Sequence, residues 1–309
     1  MPTARWSCAI SQDNGGLALF SDYRSQVEGS VAEVTKQEAL HVPEQVRSAI
    51  IYALSSGGKR LRGMLVLAAY RAAGGQGDAS GIAAAVEIIH AYSLVHDDLP
   101  CMDDDDMRRG RPSTHRAFSI PVATAAGATM IPLAARVAHR SASGLRLPES
   151  ACCMIVKVLM QGAGAGGMIG GQLLDLAGEG VELSRDELDA IHRSKTGALI
   201  ATSVRLGGLA AGASEAKLAA FHRYGESTGL AFQIMDDVLD VTSSTDRLGK
   251  IVGRDAELGK STYPALLGVD GATKRAASLV EEGCDALRLQ GLLTSELESL
   301  AGFIVSRSH

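Results

Sequence analysis

Aromatic side chains are scarce in this chain of 309 residues, at 4%, and no stretch alternates apolar and polar residues over a convincing length. Strands are therefore not expected. The 46% apolar content, with Ala and Leu recurring throughout, favours helices instead. A basic excess is also missing. With a net charge of −5 and a pI near 5.9, the chain lacks the basic footprint of a nucleic-acid-binding protein. Any polyanionic substrate must then be met by local cations or by metal. The five cysteines, Cys8, Cys101, Cys152, Cys153 and Cys284, are odd in number and include no CxxC pair. That excludes a disulfide framework and implies a reduced, cytoplasmic setting. Adjacent Cys152 and Cys153 suit a helix; Cys101 is either a reactive thiol or a space-filler. The N-terminus has a single early arginine and no long apolar run, so no signal peptide is expected. Residues 117 to 135 lack charge, but Pro121 and Pro132 interrupt them and Ala and Thr dilute them. They predict a buried helix and no stable membrane insertion.

What the chain does have is an acidic string, DDLPCMDDDD, from Asp97 to Asp106, followed by Met107, Arg108, Arg109 and Gly110. Carboxylates and guanidinium groups this close interact strongly, and folding alone does not call for them. A cation among them is the direct explanation. A second cluster lies far down the chain, where Gln233, Asp236 and Asp240 share one helical face while Phe232, Met235 and Leu239 point into a core. Two facing carboxylate walls would hold hard divalent ions through oxygen, and Mg²⁺ bound by few carboxylates keeps positions open for substrate phosphates.

In chain order, residues 1 to 20 read as an irregular segment, with Asp13 to Gly16 marking a loop, and residues 21 to 309 as one domain. Amphipathic helix runs from Phe20 to Leu54 with a break near Pro43. Ser55 to Gly58 then interrupt it before Lys59, Arg60, Leu61 and Arg62, a string of flexible amides and cations suited to a diphosphate. A long helix over Ile82 to Asp98 carries Val86, His90, Ser93 and Asp97 on one face, and Pro100 prevents its regular continuation. Asp97 and Asp103 need that distortion to converge. A glycine-rich helix is predicted from Pro148 to Leu176, its glycines marking close approach of another helix or a ligand. Ser184 to Glu187 is a capping box opening a helix that carries Lys195 and Thr196. Thr242 to Leu248 is a polar loop, followed by Lys250 and Lys260 in glycine-flanked loops, and two amphipathic helices span Ala272 to Ser306.

The motifs DDLPCMD from Asp97 and DDVLD from Asp236 resemble those of the trans-isoprenyl diphosphate synthases, and among them the bacterial farnesyl-forming enzymes. The resemblance runs from about Gln45 to Arg307. It implies an all-α fold: a single-domain helical bundle of the isoprenoid synthase type with a central active-site cavity. It further implies three Mg²⁺ ions, with Mn²⁺ as an alternative, held by Asp97, Asp103 and Asp236, with Asp98, Asp237 and Asp240 in support. Arg108, Lys195, Thr196, Gln233, Lys250 and Lys260 match positions that contact an allylic diphosphate; Lys59, Arg62, His90 and Arg109 match positions that hold isopentenyl diphosphate. The implied reaction is ionisation of dimethylallyl or geranyl diphosphate, condensation with isopentenyl diphosphate and proton elimination, with Lys195, Lys250, Asp97 and Asp236 central to catalysis. A homodimer is implied as well.

Chain length in that family is set beneath the first motif, where Tyr92 and Ser93 lie about 6 to 7.5 Å below Asp97. A tyrosine there implies a C15 product, with geranyl and geranylgeranyl diphosphate as alternatives. Where the family usually reads EATAxLAGDALL, this chain has Ile120 to Ile131 without the acidic residues and with Pro121 introduced, followed by Pro132. Gly63 stands where the family mostly has proline. The altered stretch predicts changed helix packing and a changed catalytic rate and keeps open a non-catalytic subunit of a heteromeric prenyltransferase, and Gly63 predicts a looser start to its helix; a class I terpene cyclase would have a different second motif and lack the downstream lysines.

Overall fold

The computed structural model describes residues 20–38, 42–242 and 261–306. The irregular segment expected over residues 1 to 20 therefore falls, apart from buried Phe20, outside the described residues, as do Cys8, Lys250 and Lys260.

Helices α1 (Ser21–Glu38) and α2 (Glu44–Leu54) flank the expected break at Pro43, and α3 spans Leu61–Ala72. Helix α4 (Ser80–Asp97) is the axis of the bundle: every residue from Ile82 to Ile89 is buried. An apolar helix of this kind lowers its free energy only when covered on all sides. Helices α1, α3 and α6 (Ile120–Gly144) supply that cover. Between α4 and α6 lie a two-residue antiparallel pairing, β1 (Met107–Arg108) with β2 (Arg111–Pro112), and the single turn α5 (Thr114–Ala117).

Helix α7 (Glu149–Ala163) returns along α6. The single helix expected from Pro148 to Leu176 is in fact two, because Gly164 adopts extended backbone and Gly167 also leaves the helical region before α8 (Met168–Ala177) begins. Helix α9 (Arg185–His192) opens on the predicted capping box, Ser184 with Glu187, and passes through a π turn (Arg193–Gly197) into α10 (Ala198–Ala210). The long α11 (Glu215–Thr242) and α12 (Tyr263–Arg288) pack along each other, and α13 (Ser295–Ser306) closes their outer side. The penultimate helix thus starts nine residues before the predicted Ala272, capped by Thr262, with its first turns offset by Gly268 at φ +69°.

The altered stretch forms part of α6, one helix of 25 residues. Pro121 stands in its first turn, where backbone N–H groups lack helical partners anyway, and the Ser119 side chain accepts from the Val122 N–H. Pro132 is interior, and the Ala128 carbonyl it leaves unpaired belongs to the exposed side of the helix. The helix is half buried rather than buried: Ala126 and Met130 are covered, Ile120 and Ala125 exposed.

Gly63 does not loosen α3. Its N–H donates to Glu87 Oε1 at 2.8 Å, and a side chain there would press on Val27. Arg60, at φ +53°, turns inward to the Leu54 carbonyl and stands 3.6 Å from Glu87. Of the three cations in the GGKRLR string, this one ties α2, α3 and α4 together.

Candidate active site

Helix α4 ends at Asp97, and the chain folds back through a turn in which the Asp103 N–H donates to the Asp97 carbonyl at 2.9 Å. This is the distortion that Pro100 predicted, and it brings the two carboxylates onto one side. Asp98 is buried and accepts from Arg108 Nε and Nη2, and the same guanidinium reaches Asp105 at 2.9 Å. Cys101 is exposed on the turn, so it does not fill space.

Facing this turn is α8. Gln172 is 4% exposed and donates from Nε2 to Asp103 Oδ1 at 3.2 Å, while its Oε1 is buried without a hydrogen-bond partner. Gly171 lets α8 approach until its Cα lies against the Lys195 backbone, where any Cβ would overlap it. Lys195, on the π turn, pairs with Asp175 at 2.7 Å, and Thr196 donates to Gln233 Oε1 at 2.8 Å. The π turn widens the helix at the point where both side chains leave it.

These elements enclose a cavity of about 270 Å³. Its polar lining includes Arg62, His90, Ser93, Asp97, Gln172, Lys195 and Thr196. Its apolar and aromatic lining includes Tyr92, Met102, Ile131, Met168 and Ile169. Tyr92 is 3% exposed and anchored by its hydroxyl, which donates to the Ala163 carbonyl at 3.1 Å. His90 also lines a smaller hollow of about 30 Å³ with Arg60, Asp98, Arg108 and Arg109. One histidine thus separates a cavity holding Arg62 from a hollow holding Arg109.

The electrostatics follow from enclosure. Burial pushes the Asp97 carboxyl up to about 7, Asp103 adds to the rise and Lys195 opposes it. Desolvation, reinforced by Arg62, holds His90 well below the usual histidine value, so it stands neutral at pH 7.

Along α11 the predicted split holds for Gln233, Asp236 and Asp240, which are part-exposed, and for Met235 and Leu239, which are buried; Phe232, expected in the core, is only partly buried and packs against its edge. Asp237 is different. It is 3% exposed, accepts the Tyr263 N–H on Oδ2 at 3.0 Å, meets His192 Nε2 at 3.3 Å and takes Gln233 Nε2 at 3.4 Å. Lys59 is not among the residues lining this cavity, and its ammonium lies 5.3 Å from the centre of the Phe303 ring. Residue-by-residue reasoning gave no role to Gln172 or Asp175; the signal was the Gly-Gly pair before Gln172 and the charge of Asp175 on an otherwise apolar helix.

An all-oxygen, carboxylate-rich donor set is the kind that Mg²⁺ takes. The open Oε1 of Gln172, buried beside Asp103, is an acceptor that a hydrated cation would satisfy, so the residues present fit the ion.

The polyprenyl synthetase family profile matches residues 43–286. The chain is 46% identical over 265 residues to a farnesyl diphosphate synthase of Escherichia coli K12, covering 83% of this chain and 87% of that one. It is 37% identical over 303 residues to a chloroplastic geranylgeranyl pyrophosphate synthase of Arabidopsis thaliana, covering 96% and 84% respectively. Among solved structures, a geranyltransferase from Helicobacter pylori complexed with magnesium and isoprenyl diphosphate superposes with a TM-score of 0.78 at 28% identity, over 96% of this chain and 98% of that one.

Proposed function

The chain belongs to the polyprenyl synthetase family, and from that premise we propose that it condenses isopentenyl diphosphate with dimethylallyl and geranyl diphosphate to give farnesyl diphosphate. The single observation that carries the reading is the cavity itself, which gathers Asp97, Lys195, Arg62 and His90 with Tyr92, Met102, Ile131 and Met168 in one lining. A diphosphate and a prenyl tail need both environments within one cavity.

Mg²⁺ held by Asp97 and Asp103 on one side and Asp236 on the other, with Asp240 in support, would neutralise the departing diphosphate. Lys195 adds its own charge there, kept in place by Asp175. Thr196 and Gln233, already hydrogen-bonded, orient the phosphate oxygens, and Arg108 contributes from the turn, held by Asp98 and Asp105. Lys250 and Lys260 complete this group from outside the described residues. Asp98 and Asp237 act one step back: Asp98 aims Arg108, and Asp237 fixes the start of α12.

The isopentenyl diphosphate is assigned to Arg62, Arg109 and Lys59, with neutral His90 donating a hydrogen bond between the two substrate positions. When the allylic carbon–oxygen bond breaks, the double bond of isopentenyl diphosphate attacks the cation, and the proton then lost passes to the released diphosphate. Buried Met168 and partly buried Ile131 supply apolar lining that would limit water beside the cation. Tyr92, pinned to Ala163, ends the tail at C15. A geranylgeranyl product is the second reading, favoured by the Arabidopsis relative.

Exposed apolar side chains on α6 and α7, Ile120 and Met154, support a homodimer. They also belong to a helical bundle typical of a cytoplasmic enzyme. Continuous measurement of inorganic diphosphate tests the activity: release that requires both substrates and Mg²⁺ supports it, and none from folded dimer contradicts it.

A further inference from the structure

Away from the cavity, where α6 hands over to α7, three donor atoms of different chemistry converge. His139 lies in the last turns of α6, Glu149 is the first residue of α7, and Cys153 follows it by four residues, on the same face of the helix. His139 Nε2 is 3.0 Å from Glu149 Oε1, and Cys153 Sγ is 3.6 Å from the same oxygen. All three ligand atoms fall within 4.8 Å of one another.

Those separations can be compared with a tetrahedral zinc ion. With bonds of about 2.0 Å to nitrogen and oxygen and about 2.3 Å to sulfur, a tetrahedral angle puts N and O about 3.3 Å apart and S and O about 3.5 Å apart. The arrangement is that of a zinc ligand set with protons in place of the ion. It is also mechanically defined: the Pro148 entry to α7 and the tight turn before it fix the two helix ends relative to each other.

From this geometry we propose a surface site for a borderline divalent cation of the zinc class, formed by His139, Glu149 and Cys153 with water in the fourth position. The site is chemically separate from the proposed Mg²⁺ positions. One imidazole, one carboxylate and one thiolate select Zn²⁺ or Co²⁺ over hard ions, which prefer oxygen alone. Binding displaces the thiol proton to solvent and requires the His139 tautomer that carries its proton on Nδ1, leaving Nε2 for the metal, so affinity rises with pH. Occupied, the ion would staple the end of α6 to the start of α7.

The test uses the full chain, freed of any affinity tag, stripped with chelator, and dialysed against limiting Zn²⁺ in the presence of excess Mg²⁺. The expected result is one zinc per chain by elemental analysis, retained by the Cys101→Ser control and lost in Cys153→Ser, with affinity lowered at least tenfold in His139→Gln. Co²⁺ should give a thiolate charge-transfer absorption that disappears in Cys153→Ser alone. Mg²⁺-dependent turnover of Cys153→Ser should equal that of the parent, so loss of the zinc site and loss of the synthase reading register separately. Zinc content unaffected by Cys153→Ser, zinc displaced by Mg²⁺, or no bound zinc at all would each overturn the proposal. All three positions are at the surface or nearly so, and these substitutions leave the core untouched.

Discussion

Asp237 and His192 meet inside the protein, carboxylate to imidazole at 3.3 Å, with each residue less than a tenth exposed. The same carboxylate oxygen takes the N–H of Tyr263, the first residue of α12, and the His192 and Tyr263 rings stack 5.8 Å apart. The second aspartate of DDVLD is therefore committed to tying α9, α11 and α12 together. Asp237→Ala would leave buried donors unsatisfied, at a cost of about 1–3 kcal/mol. Thermal unfolding should show a lower Tm for Asp237→Ala than for Asp236→Ala; equal Tm values would return Asp237 to the metal set.

Asp97 makes the opposite prediction. Its part-exposed carboxylate lines the cavity, so Asp97→Ala should abolish turnover while unfolding at or above the parent temperature. The pH dependence follows with a definite sign. Because burial raises this carboxyl from its ordinary 3.8 to about 7, its contribution favours the metal-free fold below pH 4 and is given up as pH climbs towards 7. Asp97→Asn should remove that part of the slope in metal-free protein. Protons must also leave before Mg²⁺ binds, so magnesium affinity should fall about tenfold from pH 8 to pH 6 by calorimetry. A flat profile would place the high-affinity magnesium elsewhere.

Tyr92 lines the cavity with its hydroxyl bonded to the Ala163 carbonyl. Tyr92→Ala removes the ring and opens space between α4 and α7, so products should lengthen beyond C15 in chromatography of the dephosphorylated alcohols. Tyr92→Phe, which keeps the ring and loses only the hydroxyl, should stay at C15 with a modest loss of stability. Unchanged chain length in Tyr92→Ala would put the floor at Ile131 or Met168 instead.

Gly63 gives a stability prediction that runs against the family pattern. Proline at this position would remove the N–H that buried Glu87 accepts and place atoms against Val27. Gly63→Pro should therefore destabilise the protein by about 1–3 kcal/mol in denaturant titration. A gain in stability would mean that the α1–α3 contact adjusts freely.

Much of this was legible from residue order, for identifiable reasons. The α4 face carrying His90, Ser93 and Asp97 follows from helical periodicity, and the turn after Asp97 from Pro100. The Ser184 capping box is local chemistry and came out as read. What periodicity cannot register is a partner distant in sequence. The inward turn of Asp237 depends on His192 and Tyr263, and Arg60 is diverted to Glu87; residue order alone sets Asp237 among the supporting metal ligands and Arg60 in the string suited to a diphosphate. Glycine repeats from Gly162 to Gly171 signalled close packing but not the break at Gly164, because glycine permits both outcomes. In α6 the local rule against proline was outweighed by position: Pro121 falls in the first turn, and Pro132 frees a carbonyl on the exposed side.

The central claim is that Asp97, Lys195 and Tyr92 bound one cavity that ionises an allylic diphosphate and measures a fifteen-carbon tail. Mass spectrometry of products from purified protein, Mg²⁺, isopentenyl diphosphate and either dimethylallyl or geranyl diphosphate tests it directly. The account predicts farnesyl diphosphate from both primers. Absence of any prenyl product from folded dimeric protein, or a C10 or C20 product as the principal species, would contradict it.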